Sequence, residues 1–168
     1  TVKHNTKTYQ MAGGICGVSN GNIYDCYNSG KIVGYGTKNR TGGVVGEANS
    51  ESITKNCYNY GSVSANADFY GGIVGNLNGS SIPVTNSYCT TSTTYSYFAS
   101  GSAKTTGRIA PETLQQYTVK MGNSYAYDVY GINNGYPVLT WQNDKPTMQL
   151  NKNQEYISVG ENLQLNIK

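Results

Sequence analysis

The chain has 168 residues, a formal net charge of +3 and only 12% charged residues, about half the usual share in soluble domains. Its lysines and arginines are spread rather than clustered, which argues against nucleic acid as a partner, and no apolar run reaches the ~20 residues that span a bilayer. The 16 tyrosines and the regular Ile/Val runs favour an ordered β-rich chain over a disordered one, which would be poor in aromatic and β-branched residues.

In chain order, residues 1–10 read as the last strand of an earlier coil or an N-terminal cap. The chain opens in mid-pattern and reads as a piece of a longer protein. Met11-Ala12 then leads into Gly13-Gly14-Ile15-Cys16-Gly17, a phrase that returns as Gly42-Gly43-Val44-Val45-Gly46 and Gly71-Gly72-Ile73-Val74-Gly75. The second glycines stand 29 residues apart, and a fixed period of this size marks a repeat architecture. After each phrase comes a Ser/Asn/Gly turn, then a strand such as Ile23–Asn28, then a further one such as Lys31–Val33, so three short β-runs per repeat are predicted. The tyrosines at 27, 58 and 88 recur with a slip of one or two residues, placed in the loop around Glu51-Ser52 and Ser80-Ser81.

Stacked at about 4.8 Å, such repeats pair each strand with its copy in the next coil. The prediction is an all-β fold, a parallel β-helix or β-solenoid of about three coils of ~29 residues. Ile15/Val44/Ile73 and Cys26/Cys57/Ser87 are expected as inward columns. Asn20/Asn49/Asn78 are expected as an asparagine ladder. A propeller would repeat at roughly 40–50 residues with a Trp per blade, whereas the single Trp here is Trp141. Helical repeats need 3.6-period apolar stripes, and none occurs before residue 108.

Residues 99–110 read as a loop. Pro111–Met121 reads as a short helix with Pro in its first turn, Glu112 at the positive dipole end and Gly122 as its stop. Leu114, Tyr117 and Met121 share one face, and the helix is expected to cover the open end of the solenoid as its C-terminal cap. Asn133–Trp141 reads as a turn and a terminal apolar strand. The domain division is 1–145, the solenoid with its cap, and 146–168, a linker and the first alternating strands of an immunoglobulin-like module.

The glycine phrases, with Asp25–Ile32 and Asn56–Val63 as second strands, resemble the GLUG repeat, a family named for a Gly-Leu-any-Gly core. The third copy departs: Ser87 stands in the Cys place and Cys89 in the Asn place. The resemblance spans roughly residues 11–141. It implies a non-catalytic structural or adhesive module of a bacterial cell-surface protein, extracellular or secreted, acting as spacer or contact surface. The alternative it allows is an accessory region of a secreted peptidase or glycan-active enzyme. The expected partner is a host protein or glycan, met by a monomer within a larger multidomain chain, with no membrane insertion.

The residues offer little catalytic chemistry. The acids are Asp25, Glu47, Glu51, Asp68, Glu112, Asp128, Asp144, Glu155 and Glu161. Each predicted column brings only one of them to a level, as in Asp25/Asn56 and Glu47/Asn76, whereas glycoside hydrolysis needs two facing carboxyl groups. One histidine and four scattered cysteines do not make a zinc site, and the Gly/Asp calcium repeat is absent. No catalytic, cofactor-binding or metal residue is therefore assigned, and no cofactor. Cys26 and Cys57 would stack at a spacing that a disulfide can bridge, but buried thiols are the expectation. Tyr24, Tyr35, Tyr60, Tyr70, Tyr95 and Tyr97 fall outside the inward columns and are candidates for an exposed contact row.

Overall fold

The computed structural model describes residues 1–5, 9–35, 38–65, 69–79, 82–90, 107–108 and 110–144. The expected immunoglobulin-like strands at 146–168, and Tyr95 and Tyr97, lie outside them.

The strands in chain order are β1 (Val2–Asn5), β2 (Tyr9–Gly13), β3 (Cys16–Ser19), β4 (Asn22–Tyr24), β5 (Tyr27–Asn28) and β6 (Ile32–Tyr35). They continue as β7 (Lys38–Gly42), β8 (Val45–Asn49), β9 (Ile53–Lys55), β10 (Tyr58–Asn59), β11 (Val63–Ala65) and β12 (Phe69–Gly71). Then follow β13 (Val74–Asn78), β14 (Val84–Thr85), β15 (Tyr88–Cys89) and β16 (Gly107–Arg108). Strands five apart pair in parallel, giving sheets β1-β6-β11, β2-β7-β12, β3-β8-β13, β4-β9-β14 and β5-β10-β15, the last extended by β16 beside β15. This is a β-helix-like stack. The repeat holds five strands rather than the three read from sequence.

One of the two extra strands has a physical cause at a corner. Asp25, Asn56 and Asn86 sit at φ 54°, 55° and 47°, the left-handed region that Asn and Asp tolerate better than other side chains. They cut the predicted strand Ile23–Asn28 into β4 and β5. The corner side chains also join the turns of the stack, because the Asn56 amide donates to Asp25 Oδ1 at 3.1 Å. The predicted slip is real. Ladder partners are 29 residues apart at Asn20/Asn49 and 31 apart at Asp25/Asn56, and the tight turn after Asn49 absorbs the difference.

The glycine phrases stand in register, with Gly13 opposite Gly42 and Gly42 opposite Gly71. In the column that follows, a Cβ on Gly14 or Gly43 would strike the Asn28 or Asn59 side chain and the carbonyl of the next Gly. These positions serve close approach rather than unusual φ. The predicted asparagine ladder is present: Asn49 donates to Asn20 at 2.6 Å and Asn78 to Asn49 at 3.1 Å. A second, buried one joins Asn28 to Asn59 at 2.8 Å, and each of those amides also bridges its own Gly30 or Gly61 backbone.

The main core runs down the stack: Val44, Val45, Ala48, Cys57, Ile73, Val74, Ile82, Val84 and Cys89. Each Val or Ile so buried is worth about 1.5–3 kcal/mol against exposure. The column Ile15/Val44/Ile73 is inward at Val44 and Ile73, but Ile15 is 45% exposed. Ser87 falls in the cysteine column, as its hydroxyl accepts the Cys57 N–H at 3.1 Å, and Cys89 pairs with Asn59.

The C-terminal part starts with α1 (Pro111–Leu114), which tightens into a 3₁₀ turn over Gln115–Met121. Gly122 ends it at φ 94°. Strands β17 (Tyr125–Ala126) and β18 (Val138–Leu139) pair antiparallel, and a second 3₁₀ turn covers Thr140–Asn143. The sequence sets this segment over the open end of the stack. The structure lays it along the flank instead: Leu114, Met121 and Tyr125 form a second core with Tyr58 and Tyr88. Tyr27, Tyr58 and Tyr88 make one outward column on β5, β10 and β15, an apolar surface that the segment covers.

Candidate functional site

The aromatic flank positions a group of exposed apolar side chains. Tyr27 and Tyr58 stack with centroids 4.9 Å apart and planes 6° apart, and Tyr60 stacks on Tyr136 at 4.1 Å. The Tyr58 hydroxyl donates to the Pro137 carbonyl and accepts from the Asn133 amide at 2.8 Å. Burial pushes this phenol well above its ordinary pKa, so it keeps its proton. Tyr60 donates to Asn133 Oδ1 at 2.6 Å. At the far edge, Tyr27 and Gln142 bond to each other.

Beyond Asn133 the chain turns around one carboxylate. Asp128 accepts the backbone N–H of Ile132, Asn133 and Gly135 at 2.8–2.9 Å. Burial alone would raise its pKa, but the hydrogen bonds from the Gly135, Asn133, Ile132 and Gly131 backbone outweigh that and hold it below the usual value. The loop so fixed presents Tyr127, Val129, Tyr130 and Ile132 to solvent. Trp141, at 66% exposure, lies on the adjacent 3₁₀ turn, which is tied to the loop by the Asn143 amide on the Tyr127 carbonyl at 2.7 Å. This group was not among the sequence candidates. Its signal was there, in the loop residues Tyr127–Ile132 beside the single Trp, but a Tyr-rich turn reads equally as packing until its cover is known.

A pH test follows from the depressed Asp128 pKa. Such a group contributes stability above its unfolded pKa, about 3.9, and loses it as pH falls through the still lower folded value. The amides of Ile132, Asn133 and Gly135 are expected to lose exchange protection in that acid range, while Asp128→Asn loses it at every pH. Equal acid sensitivity in the variant would show that another group organises the loop.

The sequence candidates divide. Tyr24 and Tyr35 are exposed, Tyr70 is half-buried, and Tyr60 belongs to the flank core rather than to a contact row. Of the acids, Asp25 takes the Asn56 amide and Glu47 is buried, paired with Arg40 and accepting from Asn76 at 3.1 Å. Glu51, Glu112 and Asp144 are exposed at separate places, and Asp68, Glu155 and Glu161 lie outside the described residues. Among the described residues no three His, Cys, Asp or Glu side chains gather as a metal site, and no helix is long and apolar enough to cross a membrane.

The cysteine column has a repeated local geometry. The Cys26 thiol donates to the Tyr24 carbonyl at 3.1 Å, the Cys57 thiol to the Lys55 carbonyl at 3.3 Å, and the Ser87 hydroxyl to the Thr85 carbonyl at 2.9 Å. None of the four cysteines is in a disulfide. Hydrogen bonding of its thiolate form by the neighbouring Cys57 thiol lowers Cys26 to about 7, against opposing effects of burial and the Asp25 charge. The same bond, with burial, pushes Cys57 far up.

The family Glug, described as the GLUG motif, matches residues 8–33. Residues 8–33 thus carry a GLUG motif, which runs from β2 to the first residues of β6. Neither the curated proteins nor the solved structures contain a match.

Proposed function

We propose that the chain is a non-catalytic spacer and contact module of a bacterial cell-surface protein, exposed outside the cell, with a solenoid of three GLUG coils up to residue 145 and a second β module from 146. The observation that carries this reading is the group Tyr127, Val129, Tyr130, Ile132 and Trp141, held in solvent by a loop that a buried carboxylate fixes. Rigid aromatic faces with a polar edge suit a host protein or the face of a sugar ring. The spacer part is supported by Asp25 and Glu47, whose carboxylates serve a corner bond and a buried ion pair rather than a shared cleft.

The test is a printed array of neutral and acidic oligosaccharides and of extracellular-matrix proteins, with Trp141 fluorescence as the solution readout. Binding is expected to fall at least about tenfold in a Tyr130→Ala/Trp141→Ala double variant, the loss of about 1.4 kcal/mol or more that truncating contact aromatics brings. Binding that survives the double variant would remove the site. Turnover of any arrayed glycan or protein by the wild-type chain would overturn the non-catalytic reading.

A further inference from the structure

The cysteine column is not used by the contact reading, and its arrangement has chemistry of its own. We propose that Cys26 and Cys57 form a thiol–disulfide exchange site that links successive turns of the stack when a small-molecule disulfide, such as glutathione disulfide, is present.

The backbone fixes the pair. Tyr24 stands opposite Lys55 and Tyr27 opposite Tyr58, so the residues between them are held in step. The Tyr58 N–H donates to the Cys26 carbonyl at 3.1 Å, which locks the rung at the cysteines themselves. Neighbouring strands lie about 4.8 Å apart, inside the ~4.4–6.8 Å between Cα atoms that a disulfide spans. Cys57 is fully buried in the main core and Cys26 packs against it. Cys26 itself is half-buried, and among the described residues β4 and β5 are the edge strands of their sheets. One thiol is thus reachable and the other is sheltered behind it. Cys16 pairs with Val45 and Cys89 with Asn59, so neither has a cysteine on the adjoining β8 or β10 rung.

In the first step the Cys26 thiolate attacks one sulfur of the disulfide RSSR. A Cys26–S–S–R bond forms and one RS⁻ leaves. Cys57 then gives up its proton, the released RS⁻ being one acceptor, and its sulfur attacks Cys26 Sγ. The Cys26–Cys57 bond forms and the second RS⁻ leaves. Two protein thiols are oxidised and one small disulfide is reduced to two thiols. The lowered Cys26 pKa supports the order of attack, because the thiolate is the nucleophile, and capping Cys26 removes the thiolate that the Cys57 proton bonds to.

The experiment treats the full chain with glutathione disulfide, quenches with iodoacetamide, unfolds it and reads the mass and the linked peptides. The expected product has lost the mass of two hydrogens, with Cys26 joined to Cys57 while Cys16 and Cys89 are alkylated after unfolding. Cys57→Ser is expected to fold, because Ser87 already occupies the same column, and to stop at a glutathione adduct on Cys26. In the native chain Cys26 should react with iodoacetamide about tenfold faster at neutral pH than the same cysteine in the unfolded chain, as a thiolate-rich site does. A lasting glutathione adduct on wild-type Cys26 with Cys57 still free, a bond to Cys16 or Cys89, or no reaction at all would each overturn the proposal.

Discussion

Gly46→Ala is expected to abolish the cooperative thermal transition of the chain. A methyl group at 46 would lie 2.6 Å from the Gly17 carbonyl oxygen, 2.8 Å from the Ala12 nitrogen and 2.9 Å from the Arg40 carbonyl oxygen. These are backbone atoms of β3, β2 and β7, not side chains that can rotate away. Overpacking absorbed by flexible side chains costs about 1–3 kcal/mol. Here three strands must move, and each is locked by register to its partners, so a loss above ~4 kcal/mol is expected. That is a large part of the roughly 5–15 kcal/mol that holds a domain folded. Gly21→Ala is the control, because a Cβ there meets nothing within 4 Å, and its effect should stay within about ±0.5 kcal/mol. Far-UV circular dichroism melts of the two variants decide the matter. If they melt together, close backbone approach is not why the third glycine of the phrase is there.

The glycines also show why the stack was legible. Their constraint is steric and local, and the repeat prints it three times at one period, so register, parallel pairing and the Asn20/Asn49/Asn78 ladder can all be read off the chain. The corners were visible but misread. Asp25, Asn56 and Asn86 form a column whose shared property is tolerance of positive φ, and attention to their charge hid the turn that splits one strand into two. The flank was not legible, because residues 111–143 do not repeat. Nothing in Leu114, Tyr117 and Met121 tells an end from a side. The decision is made by the outward tyrosines of β5, β10 and β15, which leave an apolar strip that must be covered. The contact group inherits that gap, since Tyr127, Tyr130 and Trp141 are exposed only because the segment docks as it does.

Tyr58 is where that docking is held, and the expected result there is graded. Its ring is fully buried between Tyr27, Tyr60 and Tyr125, at centroid distances of 4.9, 6.2 and 5.6 Å. Tyr58→Ala empties that space and is expected to cost about 3–5 kcal/mol, as for other buried aromatic rings. Tyr58→Phe keeps the ring and removes only the hydroxyl. The Asn133 amide still donates to the Pro137 carbonyl at 2.8 Å, so neither partner is stranded and the loss should be near 1 kcal/mol. Amide exchange locates the effect. In Tyr58→Ala the β17 and β18 amides should lose protection well before those of β8, whose core contacts are on the other side of the wall. Uniform loss across both would mean that flank and stack unfold as one unit, and that the flank is not a separately docked layer. If Tyr58→Phe instead proved as damaging as Tyr58→Ala, the hydroxyl bridge to Asn133 and Pro137, not the stacked rings, would be what fastens the contact loop to the solenoid.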